Sequence, residues 1–110
     1  MFPRIQRIRK SEEIITLLRQ GKRLSEGSLS FFFQEKTGSM GKVTVIVSTK
    51  VSKKATERNL LKRRIRAILK ENGLPEGELV IRANPGSETL SYEELAQKVG
   101  NALTKLKPHA

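Results

Sequence analysis

Apolar residues in this chain fall into short groups separated by glycine-rich or charged stretches, and their spacing sorts the groups into two kinds. In "SEEIITLLRQG" Ile14, Leu17 and Leu18 recur at the interval that places them on one helix face. Ser11 stands where an N-cap belongs, Glu12 and Glu13 fall in the first turn, and Gly21 supplies a stop. "SLSFFFQ" (28–34) and "KVTVIVS" (42–48) are rich in β-branched and aromatic residues and predict strands. "EKTGSMG" between them offers the glycines of a hairpin loop, so the two strands are expected to pair antiparallel, extended by a short strand near Lys22 to Leu24. Strand alternation sends Leu29, Phe31 and Phe33 toward a core. Phe32 goes the other way with Ser30, where it is expected to be exposed.

Helical period returns from about Thr56 to Glu71. At ~100° per residue, Leu61, Ile65, Ile68 and Leu69 cluster on one side, and Arg58, Asn59, Lys62, Arg63, Arg66 and Lys70 fill the adjoining arc. "NGLPEG" (72–77) ends the helix, "ELVIRA" (78–83) reads as a strand, and "NPGSETL" as a loop. Ser91 with Glu94 three residues on forms a capping box for a last helix, whose stripe is Leu95, Val99, Ala102, Leu103 and Leu106. The predicted order is helix, two or three strands, helix, strand, helix, without repeats, linkers or low-complexity segments. Residues 1–110 are expected to form a single domain.

Composition adds a partner. With 22 Lys and Arg against 11 acids the formal charge is +11 and the isoelectric point about 10.5, a field that attracts polyanions. Nucleic acid leads, and an anionic membrane is the rival. No segment approaches the ~18 consecutive apolar residues of a span, and no apolar run marks a signal peptide. A soluble, intracellular protein is therefore expected, with no membrane partner. Catalytic materials are scarce: the chain has no Cys and no Asp, and its single histidine is His109. The pairs Glu12/Glu13 and Glu93/Glu94 each follow a serine and read as helix-start acids, which favour the positive end of the helix dipole. Neither a protein catalytic site nor a protein metal site is expected.

The charge is concentrated in "TKVSKKATERNLLKRRIRAILK" (49–70), where Lys50, Lys53, Lys54, Arg58, Lys62, Arg63, Arg64, Arg66 and Lys70 meet a single acid, Glu57. A solvated helix face normally mixes signs. Here Arg58, Lys62 and Arg66 stack like charges at i, i+4 and i+8, each step costing a few tenths of a kcal/mol, which makes sense if polyphosphate neutralises them. Arginine's planar fork suits phosphate oxygens, and Asn59 adds an amide that can donate to a phosphate or 2′-hydroxyl or serve the local backbone. DNA is disfavoured because no second recognition helix follows. RNA is also met by platforms for unpaired bases, a role open to Phe32, with core packing as the alternative.

"VSTKVSKKATERNLLKRRIRAIL" resembles the signature region of the bacterial ribonuclease P protein component, a Val-Ser-Lys-Lys-like strand end followed by Arg-Asn-Arg-x-x-Lys-Arg on a helix. "IRKSEEIITLLRQGKRL" is similar to that family's first helix, and "GELVIRANPGSETLSYEEL" to its last strand, Pro-Gly loop and C-terminal helix. The resemblance implies an α/β (α+β) two-layer sandwich with a left-handed βαβ crossover through the basic helix. It implies an accessory subunit of a ribozyme whose RNA removes the 5′ leader of precursor tRNA with Mg²⁺, in the cytoplasm. By position, Lys50, Lys53, Lys54, Arg58, Asn59, Lys62, Arg63 and Arg66 would face the ribonuclease P RNA. A cleft formed by Ile14, Leu18 and Phe32 would hold the leader. Four positions depart from the pattern: Leu60 replaces the motif's second arginine, Thr49 a common lysine, and aliphatic Ile14 and Leu18 frequent aromatics. The competing readings are a structural RNA-binding protein of ribosomal type, with no role in cleavage, and a protein-only nuclease, which lacks the carboxylates for two metals.

Overall fold

The computed structural model describes residues 11–35, 38 and 41–106, with the backbone alone for 11–13. Helix α1 (Ser11–Gln20) leads into β1 (Lys22–Glu26) and β2 (Leu29–Glu35), then β3 (Lys42–Val47), the long helix α2 (Ala55–Asn72), β4 (Gly77–Ala83), a 3₁₀ turn (Ser87–Thr89) and α3 (Tyr92–Leu106). The expected capping by Ser11, the side chains of Glu12 and Glu13, and His109 lie outside the described residues. The expected cap of α3 is present: Glu94 N–H donates to Ser91 Oγ at 3.1 Å and Ser91 N–H to the Glu94 carboxylate at 3.0 Å. The bond from Ser91 N–H, and after it the Ser91 hydroxyl and the Lys98 charge, hold the Glu94 carboxyl below the usual carboxylate range.

The strands lie in the order β1-β2-β4-β3, which corrects the expected pairing of 28–34 with 42–48. β2 pairs antiparallel with β1 and with β4, and β3 pairs parallel with β4. The hairpin is one turn earlier, at Gly27–Ser28 between Glu26 and Leu29, and Gly27 takes the positive φ of 60° that a two-residue hairpin loop demands. The physical reason for β4's central place is in its own composition. Leu79, Val80 and Ile81 are consecutive apolar residues, all buried, and only an inner strand covered on both faces can hide them. Since β3 and β4 are parallel neighbours, α2 is the crossover that joins them.

The main core lies between the sheet and the pair α2–α3. Phe31, Phe33, Val43, Val45, Val47, Leu79 and Ile81 meet Leu61, Ile65, Ile68 and Leu69 of α2 and Leu95, Val99 and Leu103 of α3. Each such aliphatic or aromatic side chain contributes about 1.5–3 kcal/mol when fully buried. Helix α1 rests on the opposite sheet face, where Leu17, Phe32 and Val80 form a second cluster flanked by half-buried Ile14, Leu18 and Ile46. Alternation thus assigned Phe32 to the correct face, but the expected exposure is wrong: it is 3% exposed, because Leu17 and its neighbours cover that part of the sheet.

Candidate nucleic-acid interface

The basic surface is built by α2 and the loop before it. The buried face of α2 is fixed by Leu61, Ile65, Ile68 and Leu69, so the helix can turn its charged arc only outward. Asn59, Lys62, Arg63, Arg66 and Lys70 line an open groove of about 790 Å³ together with Ala67 and Glu71. The groove lies across successive turns, and four of the five polar groups named first are cations.

The β3–α2 loop is pinned against the same helix. Ser52 Oγ donates to Glu57 at 2.7 Å and accepts the Lys54 N–H at 3.2 Å. Arg58 Nη1 donates to the Ser52 carbonyl at 2.8 Å. Lys54 is the N-cap residue of α2 but makes no side-chain cap bond, and its ammonium stands 4.0 Å from Glu57 with both side chains largely exposed. Glu57, the acid in this run, therefore orders the loop more than it neutralises the helix. Lys50, Lys53 and Lys54 are exposed around it, and Arg58 divides its guanidinium between surface and loop.

The second surface is the sheet face under α1. Reading across it, Arg23 of β1 stands opposite Phe32, which stands opposite Val80 of β4, and the next row carries Ser25, Ser30 and Arg82. The Cζ atoms of Arg23 and Arg82 lie 5.6 and 5.3 Å from the centroid of the Phe32 ring. Asn84 Nδ2 donates to Ser30 Oγ at 2.9 Å and Asn84 N–H to the Ser28 carbonyl at 2.8 Å. Ser87 Oγ, fully buried, lies 2.7 Å from the Asn84 carbonyl and 3.1 Å from that of Ser28. These bonds fasten the turn after β4 to the start of β2, giving the polar end of this face a rigid frame. Apolar residues at one end and polar ones at the other make it suited to a flexible, partly charged chain.

The structure brings Asn59, Lys62, Arg63 and Arg66 together on one groove and keeps Arg58 and the loop lysines on the adjoining loop and first turns. Ile14 and Leu18 pack, half-buried, against the cluster that contains Phe32, and the ring itself is covered. Arg23 and Arg82 were not among the expected site residues. Alternation within "KRLSE" and "ELVIRA" puts each on a definite face, but only the β1-β2-β4 order shows that the two faces are one. Among the described residues no group of three or more His, Cys, Asp or Glu side chains is assembled, and no helix is long and apolar enough to cross a membrane.

Comparison with known proteins points in one direction. A family model described as Ribonuclease P matches residues 2–107. The ribonuclease P protein component of Pseudanabaena sp. (strain PCC 6903) is 31% identical over 112 residues, 97% of this chain and 96% of that one. The Thermus brockianus component is 45% identical over 64 residues, 58% of this chain but only 39% of that protein's length. In three dimensions the RNase P protein from Thermotoga maritima matches with a TM-score of 0.82 at 23% identity, covering 93% of this chain and 98% of that one. The Staphylococcus aureus RNase P protein gives 0.80 at 17% identity, covering 92% and 94%. At these identities the structural likeness shows a shared fold.

Proposed function

Because the chain belongs to the ribonuclease P protein family, we propose that it is the protein subunit of a ribonuclease P ribonucleoprotein, acting in 5′ maturation of tRNA in the cytoplasm. In this reading the α2 groove and the β3–α2 loop bind the catalytic RNA, and the face between α1 and the sheet receives the 5′ leader of precursor tRNA. The observation that carries it is the outward concentration of Lys62, Arg63, Arg66 and Lys70 on one groove. Such like-charged neighbours are unfavourable without a polyanion. The leader is present in precursor and absent from product, so a cleft that binds it favours substrate over product without doing chemistry.

The protein's donor set does not fit a divalent-ion site, since the described carboxylates are dispersed. In this reading the Mg²⁺ of the holoenzyme is held mainly by the RNA. The protein's share is electrostatic: a charge of +11 replaces some of the counterions that folded RNA and substrate otherwise require. The test is a leader-cleavage assay with a bacterial ribonuclease P RNA at limiting Mg²⁺. Protein alone should leave precursor tRNA intact, and protein added to the RNA should speed leader release. Binding without any change in cleavage would favour a structural RNA-binding protein of ribosomal type, and cleavage by RNA-free protein would reject the division of labour.

A further inference from the structure

Phe32 is held between two arginines on the strands that flank it. Arg23 comes from β1, directly opposite in register, and Arg82 from β4, one diagonal step away. The ring is 3% exposed, so it has no open face on which a base could stack. Arg82 is half-buried, and its Nε is buried without a hydrogen-bond partner. A buried donor left unpaired is costly. Among the described residues neither arginine has a carboxylate partner: Glu78, on the same sheet face, is two rows from Arg82 and in register with Gln34 and Lys42. The row beside the ring is Ser25, Ser30 and Arg82, with Asn84 bonded to Ser30. Cations and hydroxyls line this face next to a ring that is already occupied.

A guanidinium resting on an aromatic ring keeps its in-plane N–H groups for a second partner, and the ring fixes the plane in which they point. Phosphate oxygens fit that fork. A phosphate oxygen reaching Nε–H would give the unpaired donor of Arg82 a partner. We infer that the cleft takes single-stranded RNA by its phosphates, with Arg82 and Arg23 as the forks and Phe32 as the ring on which they rest. This rests on the leader-binding reading above and specifies its chemistry. The grip is on backbone, so the base opposite Phe32 contributes little, and one aromatic residue suffices where Ile14 and Leu18 offer no rings.

The test uses the full chain assembled with ribonuclease P RNA, measuring affinity for precursor and mature tRNA over a salt series. Arg82→Ala and Arg23→Ala should each weaken precursor binding about tenfold, leave mature tRNA unchanged, and lower the salt slope by about 0.7 for each phosphate no longer held. Arg82→Lys should recover part of the affinity, and it serves as the deciding variant should the alanine protein melt early. A precursor whose leader is abasic at the nucleotides in the cleft should bind wild type as tightly as an intact one. Loss of affinity with the abasic leader and none with either arginine variant would overturn the inference in favour of base stacking. Equal loss for precursor and mature tRNA from folded variants would also overturn it, by placing the arginines against the RNA subunit. If the wild-type complex shows no preference for precursor over mature tRNA, the leader-binding function itself falls. A preserved preference with silent arginines rejects only the phosphate grip.

Discussion

Leu60 is 41% exposed on a helix whose other leucines and isoleucines are buried, and it occupies the position where an arginine would complete the basic motif. An arginine there should be accommodated by the fold and add one phosphate contact, so Leu60→Arg is expected to tighten RNA binding and steepen its salt dependence by about 0.9, the increment for a duplex phosphate. Unfolding of that variant would mean the position is core after all. Lys62 and Arg63 test the same surface from the other direction. The double alanine variant should lower the salt slope by about one for each phosphate released, with a melting temperature near that of the wild type, and an unaltered slope would remove α2 from the RNA interface. Phe32 behaves differently because of what covers it. Alternation places its Cβ on the α1 side of the sheet, which residue-level reasoning can find, but exposure depends on where another element comes to rest. With Leu17 and Val80 against it, Phe32→Ala should cost about 3–5 kcal/mol of stability, seen as a lower melting temperature before any RNA is added. A melting temperature within a degree of wild type would show that the ring is not packed.

At the scale of elements, helices were the more legible because their signals are local. Ser91 and Glu94 announce α3, Gly73 closes α2 with its N–H donating to the Leu69 carbonyl at 2.8 Å, and the apolar stripes name the buried faces in advance. The strand segments were equally visible, yet their order was not, since adjacency in a sheet is settled by burial on both faces. "ELVIRA" carried that information in its unbroken apolar run, whereas the true hairpin rests on Gly27 and on Ser28, the residue with which the predicted strand 28–34 began. The α3 cap also has a pH signature. Glu94 has its carboxyl held low by Ser91, so the stabilisation it gives is complete above the unfolded-state value and is lost as pH falls through the lower folded-state value. Glu94→Gln should flatten that portion of the acid melting profile. Ser91→Ala should cost about 1 kcal/mol at neutral pH, and an acid profile identical in wild type and Glu94→Gln would show that the box is not closed in solution.

For the molecule as a whole, the two candidate RNA surfaces are set apart by the sheet. The groove on α2 belongs to the layer above one sheet face, and the arginine–phenylalanine cluster lies on the other, beneath α1. The strand that unites them is β4, inserted between β2 and β3 although it follows both in the chain. During synthesis, then, β1, β2, β3 and the whole basic helix emerge while the centre of the sheet is still missing. Until residues 77–83 arrive, β2 and β3 each present an unpaired edge, and Phe31, Phe33 and Val45 have no Leu79 or Ile81 to pack against. Closure depends on contacts distant in sequence, which slows folding relative to a chain of local hairpins. A fragment ending at Glu76 should therefore melt without cooperativity, read by circular dichroism, and a cooperative transition in it would show that β4 is dispensable. If α2 binds RNA as proposed, its cations emerge from the ribosome before β4 completes the core, so the order of synthesis puts the binding helix ahead of the strand that finishes the fold.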